Sequence, residues 1–265
     1  MNGLLAGKIV VVSGVGPGMG RHLALHAQAQ GAQVVIGARS VDYLAQLAEE
    51  MGGLENGVAY ARCDVTDDRE CAGLIAVAES EFGGVDSVIG NAFNSGLPTA
   101  YGKTLEDGDL EGWRIAFEVN VFGSLRLVKA AIPALKKRPG SSVIFIGSQI
   151  TRRVRAGRGP YAASKAALLT AAQVLARELG PYDIRVNTVV PGRMWGPGLQ
   201  RYIGQLADQR GTNFDTERER MIDDMSLPRI PTDEECARVA MFLASDLSIS
   251  MSGQAVDVNG GETFH

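Results

Sequence analysis

The sequence predicts an α/β fold in which a doubly wound parallel sheet is covered by helices on both faces. Short runs rich in Val and Ile alternate along the chain with longer helical stretches. These runs are continuously apolar, as expected for strands that are buried on both faces. Strands separated by helices are typical of right-handed parallel crossovers. We therefore expect a three-layer α/β/α arrangement.

Seven apolar runs predict the strands, at residues 8–13, 33–37, 57–62, 86–90, 141–147, 184–190 and 255–258. Six stretches between them predict helices, at residues 19–30, 41–51, 67–82, 109–137, 161–179 and 233–244. No linker rich in Pro, Ser or charge divides the chain, and no segment repeats. Residues 1–265 are therefore expected to form one domain.

Residues 193–230 break the alternation and carry many large apolar side chains. A long insertion of this kind is usually a lid or a binding loop. Alternatively, its apolar side chains could cover the core or a subunit contact. Met194 and Trp195, near its start, are candidate substrate residues.

Composition excludes several classes of protein. The chain has 26 Lys+Arg and 30 Asp+Glu, a formal net charge of −4, which does not favour nucleic-acid binding. No apolar stretch is long enough to span a membrane. The cysteines are Cys63, Cys71 and Cys236, and an odd number of thiols suits a reducing compartment. We expect a cytoplasmic protein that binds neither nucleic acid nor membrane.

A glycine-rich turn follows the first predicted strand, with the spacing G-x-x-x-G-x-G over residues 14–20. Glycines allow a sharp turn and leave the backbone amides open to a pyrophosphate at the start of the next helix. Such a turn alone could simply connect a strand to a helix. Its place after the first strand of a Rossmann-like fold favours dinucleotide binding. The candidate cofactor residues here are Gly14, Gly16, Gly18, Met19 and Gly20.

The end of the second predicted strand favours NADP(H). Enzymes that use NAD usually place an acid there to hold the ribose 2′-hydroxyl. Here Ala38 occupies that position, and Arg39 and Ser40 follow. A guanidinium fork suits a 2′-phosphate. Arg39 could also stack on adenine with either cofactor, so NAD(H) stays possible.

Two later strand ends supply further candidate cofactor residues. Asp64 and Val65 follow the third predicted strand, where Asp64 could accept a hydrogen bond from the adenine amino group. Asn91 and Ala92 follow the fourth and would line the ribose side of the cofactor.

Tyr161 and Lys165 have the spacing Tyr-x-x-x-Lys at the start of a predicted helix, so they share a helix face. A neighbouring ammonium lowers the pKa of a tyrosine, which makes the phenol a usable acid or base near neutrality. Ser148 ends the fifth predicted strand and could orient a substrate oxygen beside Tyr161. The alternative is a packed Tyr161 with a solvated Lys165, which leaves Ser148 and the glycine turn unexplained.

These residues make the sequence resemble the short-chain dehydrogenase/reductase family over residues 7–261. The matching positions are Gly14, Gly18, Gly20, Asp64, Asn91, Ala92, Asn120, Ser148, Tyr161, Lys165, Pro191, Gly192 and residues 257–261. The resemblance implies a seven-stranded parallel sheet and hydride transfer between a nicotinamide and a secondary alcohol or ketone. It also implies a homotetramer (or a homodimer) built through helices 109–137 and 161–179.

The resemblance assigns roles to individual residues. Tyr161 would be the proton donor or acceptor, and Ser148 would hold the substrate. Lys165 would bind the nicotinamide ribose and tune Tyr161, while Asn120 would hold a proton-relay water. Tyr161, Lys165, Pro191 and Gly192 would also contact the cofactor.

Two departures from the family pattern bear on the substrate pocket and on the cofactor contacts. Phe93 follows Asn91-Ala92 where the family has Gly, so a ring could shape the substrate pocket. After Pro191-Gly192, the segment Arg193-Met194-Trp195-Gly196 replaces the usual Thr that contacts the cofactor. The altered loops are similar to those of a bacterial subgroup associated with the catabolism of steroids and other ring compounds.

Four arginines lie between Ser148 and Tyr161, at positions 152, 153, 155 and 158. They could attract an anionic substrate, such as a carboxylate or an acyl-CoA, whose apolar body lies under the lid. Alternatively, they form a solvated loop or pair with acids of a neighbouring subunit. Arg155 is the candidate substrate residue of this group.

The leading hypothesis is an NADP(H)-preferring oxidoreductase acting on a bulky apolar or acyl-CoA-type alcohol or ketone. A catalytically silent dinucleotide sensor or scaffold would not need a tuned phenol. A non-redox epimerase or dehydratase usually has a longer substrate region. His22 and His26 have a spacing that metal sites use, but the sequence offers no third ligand, so no metal is expected.

Overall fold

The computed structural model of the chain describes residues 3–96 and 99–264, and a parallel sheet of seven strands forms its centre. The strands are β1 Ile9–Ser13, β2 Gln33–Ala38, β3 Val58–Arg62, β4 Ser87–Gly90, β5 Ser142–Ile146, β6 Arg185–Pro191 and β7 Ala255–Val258. Their order is β3-β2-β1-β4-β5-β6-β7. The predicted doubly wound α/β fold is confirmed.

The register of the central strands aligns their carboxyl ends at one edge of the sheet. Ser13, the last residue of β1, pairs with Gly37 of β2 on one side and with Gly90 of β4 on the other. Strands β2 and β3 follow one another outward from one side of β1, and β4 to β7 follow one another outward from its other side. The strand order therefore changes direction between β1 and β4. In doubly wound sheets, ligands bind in the crevice beyond the strand ends at this switch point.

Helices cover both faces of the sheet. They are α1 Met19–Ala29, α2 Val41–Glu50, α3 Asp68–Phe82, α4 Glu111–Phe117, α5 Ser124–Leu135, α6 Gly159–Leu179, α7 Pro197–Arg210, α8 Phe214–Asp223 and α9 Asp233–Ala244. Val10 and Val12 of β1 pack in one core with α1, α2 and α9. Ile9 and Val11 face the other core, with α3, α5 and α6. Successive side chains of β1 thus pack in opposite layers of the structure.

The prediction of one α-helix over residues 109–137 is wrong in its middle. A π-helical segment, Glu118–Gly123, separates α4 from α5. Within it, the buried side chain of Asn120 bonds to the loop after β4 and to α6. Gly123 lies so close to Val65 that an added Cβ would be 2.6 Å from a Val65 methyl group. These tertiary contacts favour a widened turn, which frequently marks a functional site.

Residues 193–230 form two helices, α7 and α8. The helices bury Ile203 and Met221 around Ile230, and Trp195 packs against this small cluster. Asn213 caps α8 by accepting a hydrogen bond from the Thr216 amide at 2.9 Å. Much of the apolar surface that suggested a lid is therefore used in the segment's own packing, and its action as a lid stays a prediction.

No helix in the described part of the chain is both long enough and apolar enough to cross a membrane.

Candidate active site

The glycine turn after β1 is held against the loop after β4. Gly14 has φ +73°, and a Cβ there would lie 2.3 Å from the Ala92 amide nitrogen. Asn91 donates a hydrogen bond from Nδ2 to the Gly14 carbonyl oxygen at 2.8 Å. Only glycine combines this backbone conformation with so close an approach. Asn91 therefore fixes the turn, and its place beside the cofactor ribose stays a prediction.

The other residues of the turn divide into packing and open positions. A Cβ on Gly20 would lie 2.6 Å from the Gly14 carbonyl oxygen, so this glycine lets α1 approach the turn. A Cβ on Gly16 would have no atom within 4 Å. A Cβ on Gly18 would contact only Asp233 Oδ2, at 3.7 Å. The Met19 side chain is buried in the core, so the expectation that it reaches the cofactor can hold only for its backbone.

A cleft of about 320 Å³ opens at the switch point between β1 and β4. It brings together most of the predicted cofactor residues from four different strand ends. Its lining residues are Gly14, Val15, Gly16, Ala38, Arg39, Ser40, Cys63, Asp64, Val65, Asn91, Ala92, Phe93, Asn94 and Val119. The other predicted cofactor residues are not among those that line it: Gly18, Met19, Gly20, Tyr161, Lys165, Pro191 and Gly192.

The charges in this cleft suit a dinucleotide. Arg39 is exposed, and no carboxylate of the described residues lies within ion-pair distance of it. Burial acts to raise the pKa of Asp64, but two hydrogen bonds from Thr66 and the charge of Arg39 lower it overall. Asp64 is therefore an ionised acceptor, while the open Gly16 amide region and Arg39 offer places for phosphates. The residues present fit a nicotinamide dinucleotide.

Ser148 and Tyr161 meet between β5 and the first turn of α6. Ser148 caps a short 3₁₀ turn, Gln149–Thr151, and its Oγ accepts a hydrogen bond from the Ile150 amide at 3.2 Å. Its side chain lies close enough to the half-buried Tyr161 phenol to lower the pKa of that phenol in part. A substrate oxygen could be held between these two hydroxyl groups.

Lys165 lies one turn after Tyr161, and its ammonium is buried. Its Nζ donates a hydrogen bond to the Ile146 carbonyl oxygen, at the end of β5, at 2.6 Å. It lies 5.8 Å from the centre of the Tyr161 ring. Burial disfavours the charged form and lowers the pKa of Lys165 to about 8.

The expectation that Lys165 lowers the pKa of Tyr161 is wrong for the protein without cofactor. Burial raises the pKa of the Tyr161 phenol, and the Ser148 side chain opposes this only in part. The reason is that the Lys165 ammonium is directed at a backbone carbonyl rather than at the phenol oxygen. Tyr161 therefore holds its proton at neutral pH.

Asn120 joins the loop after β4 to α6. Its Oδ1 accepts a hydrogen bond from the Asn94 amide at 2.6 Å, and its Nδ2 donates to the Asn94 carbonyl and to Ser164 Oγ, both at 2.8 Å. Ser164 in turn donates to the Tyr161 carbonyl oxygen at 3.0 Å. The side-chain amide of Asn120 therefore braces α6, and its role in holding a water stays a prediction.

The predicted substrate residues fall in different places. The Phe93 ring is 62% exposed and lies edge-on to the Tyr161 ring, with 6.2 Å between ring centres. Met194 packs against the core on the α1 side of the sheet. Trp195 packs against Phe214 of α8, with 6.2 Å between the two ring centres. Only Phe93 of these three is seen to face the candidate site.

The arginine cluster has partners within its own chain, which the sequence did not suggest. Glu262 is buried, and its Oε1 lies within 3.5 Å of a guanidinium nitrogen of Arg153, Arg155 and Arg193. Its Oε2 accepts a hydrogen bond from Gln149 Nε2 at 2.5 Å. Glu262 thus ties the residue beside Ser148 to the start of the 193–230 segment. Four arginines on an acidic chain were the only signal for such a carboxylate.

Pro191 and Gly192 lie against this cluster. Gly192 donates its amide hydrogen to the Val258 carbonyl oxygen at 3.0 Å. A Cβ on Gly192 would lie 2.8 Å from the backbone Cα of Asn259, so only glycine fits there, and Gln149 Oε1 is also close, at 2.7 Å. The two residues lie at the same sheet edge as Ser148, and their contact with a cofactor stays a prediction.

The histidine pair on α1 takes part in ordinary helix packing. His26 Nε2 lies 3.4 Å from Glu234 Oε1 of α9, and burial lowers the pKa of His26. In residues 3–96 and 99–264, no group of three or more His, Cys, Asp or Glu is arranged to hold a metal ion.

Comparisons with known proteins identify the family of the chain. Residues 14–263 match a family profile described as enoyl-(acyl carrier protein) reductase. Trans-4-hydroxycyclohexanecarboxylate dehydrogenase of Sinomonas cyclohexanicum is 33% identical, over 98% of this chain and 94% of that protein. The 7alpha-hydroxysteroid dehydrogenase of Escherichia coli K12 is 29% identical, over 97% of this chain and 94% of that protein.

A solved structure extends the comparison to the fold. A short-chain dehydrogenase/reductase from Brucella melitensis, described as a glucose/ribitol dehydrogenase, superposes with a TM-score of 0.85 at 25% identity and covers 100% of both chains. The chain belongs to the short-chain dehydrogenase/reductase family, and it is an NAD(P)-dependent alcohol dehydrogenase or ketoreductase.

The lowered pKa of Lys165 predicts a pH-dependent stability. A lysine with a folded-state pKa of about 8 opposes folding below pH 8, and this penalty disappears as the pH rises toward the unfolded-state value. The wild type should therefore gain stability relative to Lys165→Met as the pH rises. The difference between their free energies of unfolding should change in favour of the wild type by on the order of 2 kcal/mol between pH 7 and pH 9.5. Urea unfolding at the two pH values measures this.

Lys129→Met, on the exposed face of α5, controls for the loss of a lysine elsewhere. An unchanged difference between wild type and Lys165→Met at the two pH values contradicts the burial of a charged Lys165.

Glu262→Gln removes the counter-charge shared by three guanidinium groups. The free energy of unfolding should fall by about 1–3 kcal/mol, because these cations then lose their buried partner. Urea unfolding gives the value. Glu106→Gln, at an exposed acid, should change it by less than about 0.5 kcal/mol. If Glu262→Gln and the wild type unfold at the same urea concentration, Glu262 does not stabilise the fold.

Proposed function

We propose that the protein interconverts a secondary alcohol and a ketone on an alicyclic ring, with NADP(H) as the preferred cofactor. The observation that carries this proposal is the placement of Ser148, Tyr161 and Lys165 at the sheet edge that also forms the dinucleotide cleft. A hydroxyl pair and a buried ammonium at such an edge suit proton transfer to a substrate oxygen.

Tyr161 holds its proton at neutral pH, which is the state that an acid in ketone reduction must have. Ser148 would hold the carbonyl oxygen, and the protonated phenol would donate its proton to that oxygen. The nicotinamide, when bound, supplies the hydride. Lys165 lies between Tyr161 and the Ile146 carbonyl, where it could bind the cofactor ribose and return a proton to the phenol.

The cleft wall at the end of β2 supports the preference for NADP(H). Ala38 leaves that wall without a carboxylate, and exposed Arg39 has none of the described acids within ion-pair distance. A free guanidinium fork beside the ribose would bind a 2′-phosphate in two hydrogen bonds. Ser40, which also lines the cleft, would add a hydroxyl donor.

Two features support a ring substrate. The relatives named above act on a hydroxysteroid and on a hydroxycyclohexanecarboxylate, and both compounds carry the alcohol on an aliphatic ring. The exposed Phe93 ring beside Tyr161 offers an apolar face for such a substrate. An acyl-CoA is less well supported, because Arg153 and Arg155 are occupied by Glu262.

The remaining parts of the proposal concern the whole molecule. Residues 193–230 would act as the substrate lid of a single domain. The proposed homotetramer would pack through the segments 109–137 and 161–179, on which Phe122 and Val174 are half-exposed. The free, buried cysteines suit a reducing cytoplasm.

Tyr161→Phe removes the proton donor while keeping the ring. The kcat for ketone reduction should fall by about 100-fold or more, with NADPH binding retained. Ketone-dependent loss of NADPH absorbance measures turnover, and fluorescence titration measures binding. Tyr60→Phe, at an exposed tyrosine of β3, is the matched control. If Tyr161→Phe turns over at the wild-type rate, the phenol is not the acid.

Arg39→Asp should reverse the cofactor preference. A carboxylate repels the 2′-phosphate and accepts a hydrogen bond from the 2′-hydroxyl, so the NADPH-to-NADH ratio of kcat/KM should fall by about 10- to 100-fold. Steady-state kinetics with both cofactors gives the ratio. Arg69→Asp, an equal change of charge at the exposed start of α3, should leave it unchanged. A ratio unaffected by Arg39→Asp argues against the preference for NADP(H).

A further inference from the structure

One arginine of the cluster differs from its neighbours. Arg152, Arg153 and Arg155 lie within 3.6 Å of a carboxylate oxygen of Asp257 or Glu262. Arg158 has no carboxylate within ion-pair distance among residues 3–96 and 99–264. Its Nη1 is shielded from solvent and has no hydrogen-bond partner there. A shielded guanidinium with unused donors is costly unless a ligand satisfies it.

The Arg158 guanidinium is held in place by an aromatic ring. Its central carbon lies 3.7 Å from the centre of the Tyr101 ring, a cation–π contact that leaves the edge of the guanidinium fork available. Gly102 donates its amide hydrogen to the Gly157 carbonyl oxygen at 2.8 Å, which fixes the Tyr101 loop beside Arg158. The side chain is therefore preorganised without being neutralised.

Arg158 lies where three segments meet. It is the residue before α6, three positions ahead of Tyr161, and Tyr101 belongs to the loop after β4. The third segment is α7, whose Tyr202 is close enough to influence Arg158 electrostatically. Burial lowers the pKa of Arg158, although the guanidinium stays charged. Arg158 is the N-cap of α6 and Tyr161 lies in the first turn of that helix, so both residues lie at the same end of α6.

We propose that Arg158 binds a carboxylate group of the substrate, while Tyr161 and Ser148 act on an oxygen at the opposite side of the same ring. The inference rests on the proposed ketone reductase function and narrows its substrate to alicyclic keto or hydroxy acids. The bond would be a charge-assisted, two-pronged contact, which also sets which carbon of the ring reaches Tyr161.

The test compares an acid with its neutral isostere. Wild type, Arg158→Gln and Arg158→Lys are assayed with 4-oxocyclohexanecarboxylate and 4-oxocyclohexanecarboxamide, with NADPH and NADH. Arg201→Gln, an equal loss of charge on the exposed side of α7, is the matched control. Binding of unreactive cyclohexanecarboxylate to the cofactor-loaded proteins is measured by calorimetry, which does not depend on turnover.

In the wild type, kcat/KM should be higher for the acid than for the amide. Arg158→Gln should lower kcat/KM for the acid by about 10- to 100-fold and weaken cyclohexanecarboxylate binding by a similar factor. The amide should change by less than about 3-fold, within the range of an ordinary surface substitution. Arg158→Lys should recover part of the loss, because it keeps the charge but not the fork. Arg201→Gln should match wild type.

Equal losses for acid and amide in Arg158→Gln overturn the assignment, because they indicate a structural role. The assignment is also overturned if the wild type reduces neutral cyclohexanones but shows no advantage for the acid and does not bind cyclohexanecarboxylate. That result leaves the proposed function intact. A wild type that reduces no ketone with either cofactor contradicts the proposed function itself. If Arg158→Gln does not fold, as judged by thermal unfolding, Arg158→Lys and the wild-type comparison decide.

Discussion

The arrangement of the site depends on one buried hydrogen bond, from Lys165 Nζ to the Ile146 carbonyl oxygen at 2.6 Å. It joins the last residue of β5 to the first turns of α6, so it sets the distance between Ser148, just after the strand, and Tyr161 on the helix. A buried ammonium must have an acceptor, and the carbonyl at the strand end supplies it. The Lys165 ammonium thereby fixes the position of α6 against β5, and the same ammonium is expected to take part in the reaction.

Burial sets the state of the phenol by raising the pKa of Tyr161. The Lys165 ammonium donates its hydrogen bond to the Ile146 carbonyl oxygen. A protonated phenol beside a serine hydroxyl suits donation to a ketone. Asn120 adds a second brace, through Ser164, to the same turn of α6. The site is therefore held by three elements that are distant in the sequence.

Much of the fold could be predicted, because its signals are local. The strands are uninterrupted Val and Ile runs, and the glycine turn and the Tyr161–Lys165 spacing are readable within seven residues. Glu262 could not be predicted as the partner of Gln149, since 113 positions separate them. The π-helical segment at Asn120 likewise follows from contacts with Asn94 and Ser164 that periodicity does not encode.

The pKa of Tyr161 was predicted with the wrong sign for a related reason. Sequence spacing places a lysine near the tyrosine, but it does not state which acceptor the ammonium selects. NMR titration of [13C]tyrosine-labelled protein without cofactor, with Tyr161 assigned from Tyr161→Phe, tests this point directly. We expect the Tyr161 resonance to show no ionisation up to the ordinary tyrosine range near pH 10. A midpoint near neutrality would contradict it and would mean that Lys165 acts on the phenol rather than on the carbonyl.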